Sequence, residues 1–256
     1  APDGRVATDL GDDGNASRRE YVRELGAEAV DAALRVRDSI GGYRAETGPR
    51  AIYMCHRFCE LGARLLKTDL AAMRDFLLTH PNQVVVVINQ NEGVGPREFA
   101  RVVDESGLGD LVYRGPTDEW PTLAEMIRSG ERVVMLAEKP PFGRVPWYGE
   151  AYAVAQETPY TFDRPAQLID PPLLARSCAA NRGPADAPLF LVNHWIDTSP
   201  APRPSNAAKV NAREPLLRRA RECARLRDHR VNLLAVDFFE TGDVVGVAEA
   251  LNGVAE

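Results

Sequence analysis

The run QVVVVINQ, residues 83–90, sets five β-branched residues side by side between polar ends. It has no polar alternation, so as a strand it is covered on both faces, which is the habit of parallel sheets in α/β proteins. Three further segments read the same way: RVVMLAE at 132–138, LFLVNHW at 189–195 and VNLLAVDFF at 231–239. Between them lie helix-period segments with recognisable ends. Residues 65–81, LLKTDLAAMRDFLLTHP, stop at Pro81, and residues 96–107, PREFARVVDESG, open on Pro96 and stop at Gly107. Thr122 with Glu125 three residues later is a capping box, and Gly130 closes that helix. Residues 206–228, NAAKVNAREPLLRRARECARLRD, predict a long helix interrupted or entered at Pro215, and residues 242–252 a closing one. Strands alternating with helices predict an α/β fold, a parallel sheet or barrel.

Outside this frame, residues 1–20 are polar and turn-rich. Residues 19–40 space Val22, Leu25, Ala29, Ala32 or Ala33 and Val36 as one amphipathic helix ended by Gly41–Gly42, and residues 52–54 are a short β-like run. Residues 139–187 are irregular and rich in proline, which predicts a long loop with short helical turns lying over a site.

The 256 residues are 45% hydrophobic, enough for an ordinary core, and carry 31 Lys+Arg against 37 Asp+Glu, a net charge of -6. That balance argues against a nucleic-acid surface. No apolar run approaches a membrane span of about 20 residues, and the opening APDGRVATDLGDDG is too acidic and glycine-rich to read as a secretory leader, so a soluble chain is expected. It begins with Ala rather than Met, as a processed or shortened chain would.

In such sheets the reactive groups come from the carboxyl ends of the strands. The polar residues there are Cys55–His56, Asn89 to Glu92, Glu138–Lys139, Asn193–His194 and Asp237. Two imidazoles near neutral pKa can act as base and acid in turn, the requirement of phosphodiester cleavage. No GxGxxG, GxxxxGK[ST] or GxSxG motif is present. The four cysteines, Cys55, Cys59, Cys178 and Cys223, allow three pairings; Cys55 and Cys59 around His56 would also suit zinc, but no second Cys/His pair with zinc spacing accompanies them.

The ordered set CHRFCELGA (55–63), FLLTHPNQVVVVI (76–88), SGLGDLVYRG (106–115), EWPTLAEMIRSGERVVMLAE (119–138), CAANRGPADAPLFLVNHW (178–195) and NLLAVDFFETGD (232–243) resembles the phosphatidylinositol-specific phospholipase C X-domain-like family, the PLC-like phosphodiesterases, over residues 51–252. The resemblance implies a TIM-type (β/α) barrel and a phosphoric diester hydrolase acting by histidine acid/base catalysis. Its Cys-His element falls on His56, the implied acid for the leaving oxygen; the strand-end residues His194, Glu138 and Asp237 are further catalytic candidates, with His194 packed under the long loop and Glu138 capping a loop as the alternatives. Asp237 would orient the family's first-strand histidine. That histidine, in a His-Asn motif, has no counterpart in residues 1–50, so residues 1–50 are expected to be an insertion between early strands and residues 51–256 a barrel portion without its first strands. Gln90 or Asn91 lies where some members place a calcium-binding acid; the amide character implies a weak metal site or none, so no cofactor is expected, with calcium as the alternative.

The implied partner is a phosphodiester or phospholipid substrate, with peripheral membrane contact and no nucleic acid. A Cys55–Cys59 bridge, or close packing of the two thiols, would fix the turn carrying His56, and Cys178 with Cys223 is then the other pair. Disulfides imply an extracytoplasmic site. A catalytically inactive family member used as a binding or surface module is the alternative, and a glycerophosphodiester phosphodiesterase a third. His80 and His229 read as a helix-end and a solvated histidine. Trp120 and Trp147 read as packing anchors, Trp147 beside Tyr148 also as a lipid contact. The arginines of residues 218–227 read as a solvated helix face, with Leu216, Leu217, Ala220 and Cys223 inward.

Overall fold

The computed structural model describes residues 22–23, 25–39, 51–55, 63–91, 93–116, 120–141, 143, 145–198 and 202–254. The chain divides into two compact units, Ala1–Glu150 and Ala151–Glu256.

In the first unit, α1 (Ala27–Ser39) is preceded by a helical turn broken at Gly26, whose φ of 82° ends the single helix expected from residue 19. β1 (Tyr53–Met54) pairs antiparallel with β2 (Arg64–Leu65), Tyr53 opposite Leu65. The β-like run before His56 is thus one arm of a hairpin, not a strand of the parallel sheet. Next come α2 (Leu66–Thr79), β3 (Val85–Asn89), α3 (Pro96–Glu105), a 3-10 turn (Leu108–Leu111), α4 (Leu123–Ser129), β4 (Val133–Ala137) and β5 (Tyr148–Glu150). β3, β4 and β5 form a parallel sheet in chain order, with Val85 opposite Val133 and Asn89 opposite Ala137. β4 is central and buried along its whole length, whereas β3, the edge strand, is half-buried throughout. Leu66, Leu70 and Leu77 of α2 and Phe99, Val102 and Val103 of α3 share one core with Val133, Met135 and Ala137. The capping box forms as expected: the Glu125 amide donates to Thr122 Oγ1 and the Thr122 amide to Glu125 Oε2, at 3.2 and 2.8 Å.

The second unit runs α5 (Ala151–Val154), β6 (Ala155–Glu157), α6 (Ala166–Ile169), α7 (Pro171–Ser177), β7 (Leu189–His194), α8 (Pro204–Val210), α9 (Arg213–Arg227), β8 (Leu233–Val236) and α10 (Val244–Leu251). β6, β7 and β8 are again parallel and in chain order, β7 central. The expected long helix is two, α8 and α9, divided at Asn211–Ala212. Pro215 falls in the first turn of α9, where its missing N–H costs no helical bond.

The architecture is α/β with two three-stranded parallel sheets, and no sheet among the described residues closes into a barrel. The expected loop at 139–187 holds two strands, YGE and AQE. Three residues with polar members carry no apolar run, and their burial is made good by hydrogen bonds instead.

Cys178, after α7, is bonded to Cys223 of α9, packed with Leu174, Phe190 and Val192. Cys55 is also disulfide-bonded, while Cys59 lies outside the described residues. The Cys178–Cys223 bridge closes a separation of 45 residues, a constraint on the unfolded chain of roughly 4 kcal/mol. Replacing both cysteines by alanine should lower unfolding free energy by about 2–5 kcal/mol in urea titrations.

Candidate functional site

Parallel pairing brings the carboxyl ends of each unit's three strands to one edge of its sheet. In the first unit that edge carries Asn89, Glu138 and Glu150. Asn89 Nδ2 donates to the Tyr148 hydroxyl at 2.8 Å, and burial pushes that phenol up against the opposing effect of this bond. Glu138 is half-buried just past β4, its amide donating to the Asn89 carbonyl at 2.8 Å. The Asn91 carboxamide makes two bonds to one backbone unit: Nδ2 donates to the Lys139 carbonyl at 3.1 Å and Oδ1 accepts from the Lys139 amide at 3.0 Å. Asn91 therefore pins two strand-end loops together. Gln90 is exposed. Among the described residues no group of three or more His, Cys, Asp or Glu could hold a metal ion.

The second unit carries a denser polar set. Glu157, the last residue of β6, is 1% exposed. Its Oε1 accepts from Asn181 Nδ2 and Arg182 Nε, and its Oε2 from Arg182 Nη2 and Asn193 Nδ2. Four N–H groups thus saturate the buried carboxylate, the condition under which a buried charge is tolerated. The Arg182 guanidinium lies over the Tyr152 ring at 3.9 Å and the Tyr160 ring at 4.9 Å. Glu157 and Arg182 escaped sequence reasoning because AQE has no apolar run to mark a strand end. The one available signal was a glutamate followed by Thr-Pro after the apolar AYAVA.

Asn193 and His194 end β7, where sequence put them, but they do not face a cavity. The Asn193 amide donates to Thr158 Oγ1 at 3.0 Å, and Nδ2 also reaches the Thr158 carbonyl at 2.8 Å. His194 is 0% exposed: Nε2–H donates to the Val210 carbonyl at 2.9 Å, and Nδ1 accepts from Arg219 Nη1 at 3.1 Å. Burial first, then the neighbouring Arg219 charge, holds its pKa down to about 3, against the opposing bond to Val210. The ring is neutral at physiological pH with both nitrogens engaged, so the geometry gives His194 a structural place rather than the acid/base role expected of it.

Asp237 follows β8, half-buried, its backbone carbonyl accepting from Asn211 Nδ2 at 2.8 Å. His56 lies outside the described residues. His80 caps α2 and stacks on Phe76 at 4.4 Å, in keeping with a helix-end histidine. The ring nitrogens of His229 lie 2.9 Å from the Arg230 and Ala187 carbonyls, a tethered place rather than a freely solvated one. Trp147, half-buried, packs against the first unit's core beside Phe99 and Tyr148, with Arg114 over its ring at 5.8 Å.

A histidine whose folded pKa lies below its unfolded value of about 6.5 leaves the unfolded chain holding the extra proton. Its contribution is complete above that value and declines as pH falls toward 3. Replacing His194 by Gln should therefore flatten the acid limb of stability by about 1.4 kcal/mol per pH unit between pH 6 and 4, read from urea melts.

Comparison with known proteins places the chain in a family. The family model described as PI-PLC X 1 matches residues 40–252. A protein of Arthroderma benhamiae named "Uncharacterized secreted protein" is 29% identical over 255 residues, covering 89% of this chain and 56% of its own length. A second from the same organism, "PI-PLC X domain-containing protein 1", is 26% identical over 219 residues, covering 78% of this chain and 69% of its own length. The chain thus spans little more than half of the first relative. No solved structure matches. The disulfides are consistent with an oxidising compartment, and no helix among the described residues is long and apolar enough to cross a membrane. With 213 residues under one family model, the chain belongs to the PI-PLC X domain family.

Proposed function

We propose that the protein is a phosphoric diester hydrolase of the PI-PLC-like type, cleaving a phosphodiester, a lipid head group by preference, through histidine acid/base catalysis. The observation that carries the reading is the family match over residues 40–252, which includes the Cys55–His56 element. In this reading an attacking hydroxyl gives up its proton to a base as its oxygen bonds phosphorus, and the P–O bond to the leaving group breaks. His56 gives the leaving oxygen its proton. Glu138 and Asp237, each at a strand carboxyl end of its own unit, are the candidates to orient an imidazole or accept a proton. His194 takes no part in proton transfer; it holds the end of β7.

A (β/α) barrel of the PLC-like kind goes with this reading, supported by the chain-ordered parallel strands β3-β4-β5 and β6-β7-β8. The disulfides and a relative named as secreted support an extracytoplasmic site. The reading takes no resident metal, with calcium near residues 90–91 as the alternative.

One observation favours a second reading, a family member that binds without turnover. The three described histidines, His80, His194 and His229, each have a ring nitrogen against a backbone carbonyl, whereas the reaction commonly uses two imidazoles at its centre. Turnover of a water-soluble aryl phosphodiester separates the two readings. Hydrolysis by the native chain, reduced 10²–10⁴-fold in His56→Ala, is the expected result; no hydrolysis leaves the binding module. A chelator should leave the rate unchanged, and loss of rate restored by calcium would reinstate a metal at residues 90–91.

A further inference from the structure

α7 and α9 enclose an open groove of about 490 Å³. Leu174 and Leu217 give it an apolar lining, and on α9 the arginines Arg218, Arg221 and Arg225 recur at spacings of three and four, so all three share one helix face along it. The outer two are already engaged. Arg218 Nη2 donates to the Ile169 carbonyl at 2.7 Å, with Glu214 at 3.9 Å, and Arg225 donates to Glu222 through Nε and Nη2 at 2.9 and 2.7 Å. Arg221 between them is exposed, and among the described residues it meets neither a carboxylate nor a carbonyl. The walls of the groove are held at a fixed separation. The Cys178–Cys223 bridge and the bonds from Arg219 to Ser177 tie the end of α7 to α9.

We infer that this groove is the docking site for an acidic peptide segment of a partner protein, with a carboxylate of the peptide on Arg221 and an apolar side chain against Leu174 and Leu217. Charge decides the occupant. Residues 203–230 hold nine Lys+Arg against three Asp+Glu, in a chain whose Asp+Glu outnumber its Lys+Arg by 37 to 31. Arg176, exposed in the last turn of α7, adds a cation to the helix that forms the other wall. A guanidinium forms its strongest bonds with carboxylate or phosphate, and recognition of acidic motifs by arginine clusters is a recurring mode of peptide binding. A single phosphate or sulfate ion is far smaller than the groove and leaves its leucines uncovered. A flat bilayer reaches the rim of a groove and not its lining. Nucleic acid needs a run of free cations, whereas here Glu214 and Glu222 stand between the arginines. Because the two walls are already fixed, a peptide that settles between them meets little ordering cost on this side.

The test is fluorescence anisotropy of the full chain with a fluorescein-labelled dodecapeptide repeating Glu-Glu-Leu. Binding should saturate and should weaken as salt is raised. The Gln-Gln-Leu and Glu-Glu-Ser versions of the peptide should each bind about tenfold more weakly or worse. Arg221→Gln should cost about tenfold in affinity with an unchanged melting temperature, because no bond within the protein is lost. Arg97→Gln, at an exposed arginine of the first unit, should bind as the native chain does. Native affinity in Arg221→Gln, an equal loss in Arg97→Gln, equal binding of either altered peptide, or no saturable binding of the first peptide would each overturn the inference, and so would binding of phosphatidylserine vesicles or an oligonucleotide in its place. Peptide binding needs no turnover, so this reading and the catalytic one can each fail without the other.

Discussion

The second unit is organised around one buried cation. Arg219 of α9 is 0% exposed, and among the described residues no carboxylate pairs with it. Its guanidinium is held by four hydrogen bonds: Nε to Ser177 Oγ, Nη2 to the Ser177 carbonyl, and Nη1 to both the Asn193 carbonyl and His194 Nδ1. The Phe162 ring lies 5.3 Å from it. Burial lowers its pKa to about 9, which leaves it charged at neutral pH. A buried charge with neutral partners is tolerated only where nearly all its donors are met in good geometry, and four of the five guanidinium N–H groups are. That requirement ties α9, the end of α7 and the end of β7 into one arrangement, because a shift of any of them strands a cation in the core.

The polar residues at the neighbouring strand end follow from this constraint. Asn193 has its carbonyl taken by Arg219, so its side chain is directed to the Glu157 carboxylate and the Thr158 carbonyl. Glu157 in turn gathers Asn181 and Arg182. The Cys178–Cys223 bridge sits one residue beyond Ser177 and four beyond Arg219, so the covalent and the charged ties join the same two helices. Loss of either leaves the other to hold α7 to α9.

The fold class was legible in QVVVVINQ, RVVMLAE, LFLVNHW and VNLLAVDFF because strands of a parallel sheet leave uninterrupted apolar runs, although only the central strands β4 and β7 are buried on both faces and the edge strands β3 and β8 are half-buried. The capping box and the glycine stops were legible because each is a local device read over four residues. YGE and AQE were not, since their burial is balanced by long-range bonds such as Gln156 Nε2 to the Ala185 carbonyl, which composition does not record. The candidate site divides along the same line. A strand end can be counted off the sequence, which located Asn89, Glu138, Asn193, His194 and Asp237. The direction of a side chain there depends on what approaches from other elements. At His194 the approach of Arg219 and Val210, 25 and 16 residues away, decides it, and no periodicity carries that information.

At the carboxyl edge of this unit the usual order of a globular protein is inverted: Arg219, His194, Glu157, Asn193 and Asn211 are buried, while Phe238 and Phe239 are exposed. The two halves of the inversion are linked through Asn211. Its Nδ2 and carbonyl hold the loop on both sides of the phenylalanines, and its buried Oδ1 finds no partner among the described residues. An unmet acceptor and a left-handed phenylalanine, Phe238 at φ 52°, are both unfavourable, and each persists only where the surroundings over-determine it. The saturated network beneath supplies that over-determination, since its own groups cannot turn to relieve the strain without losing bonds around a buried charge.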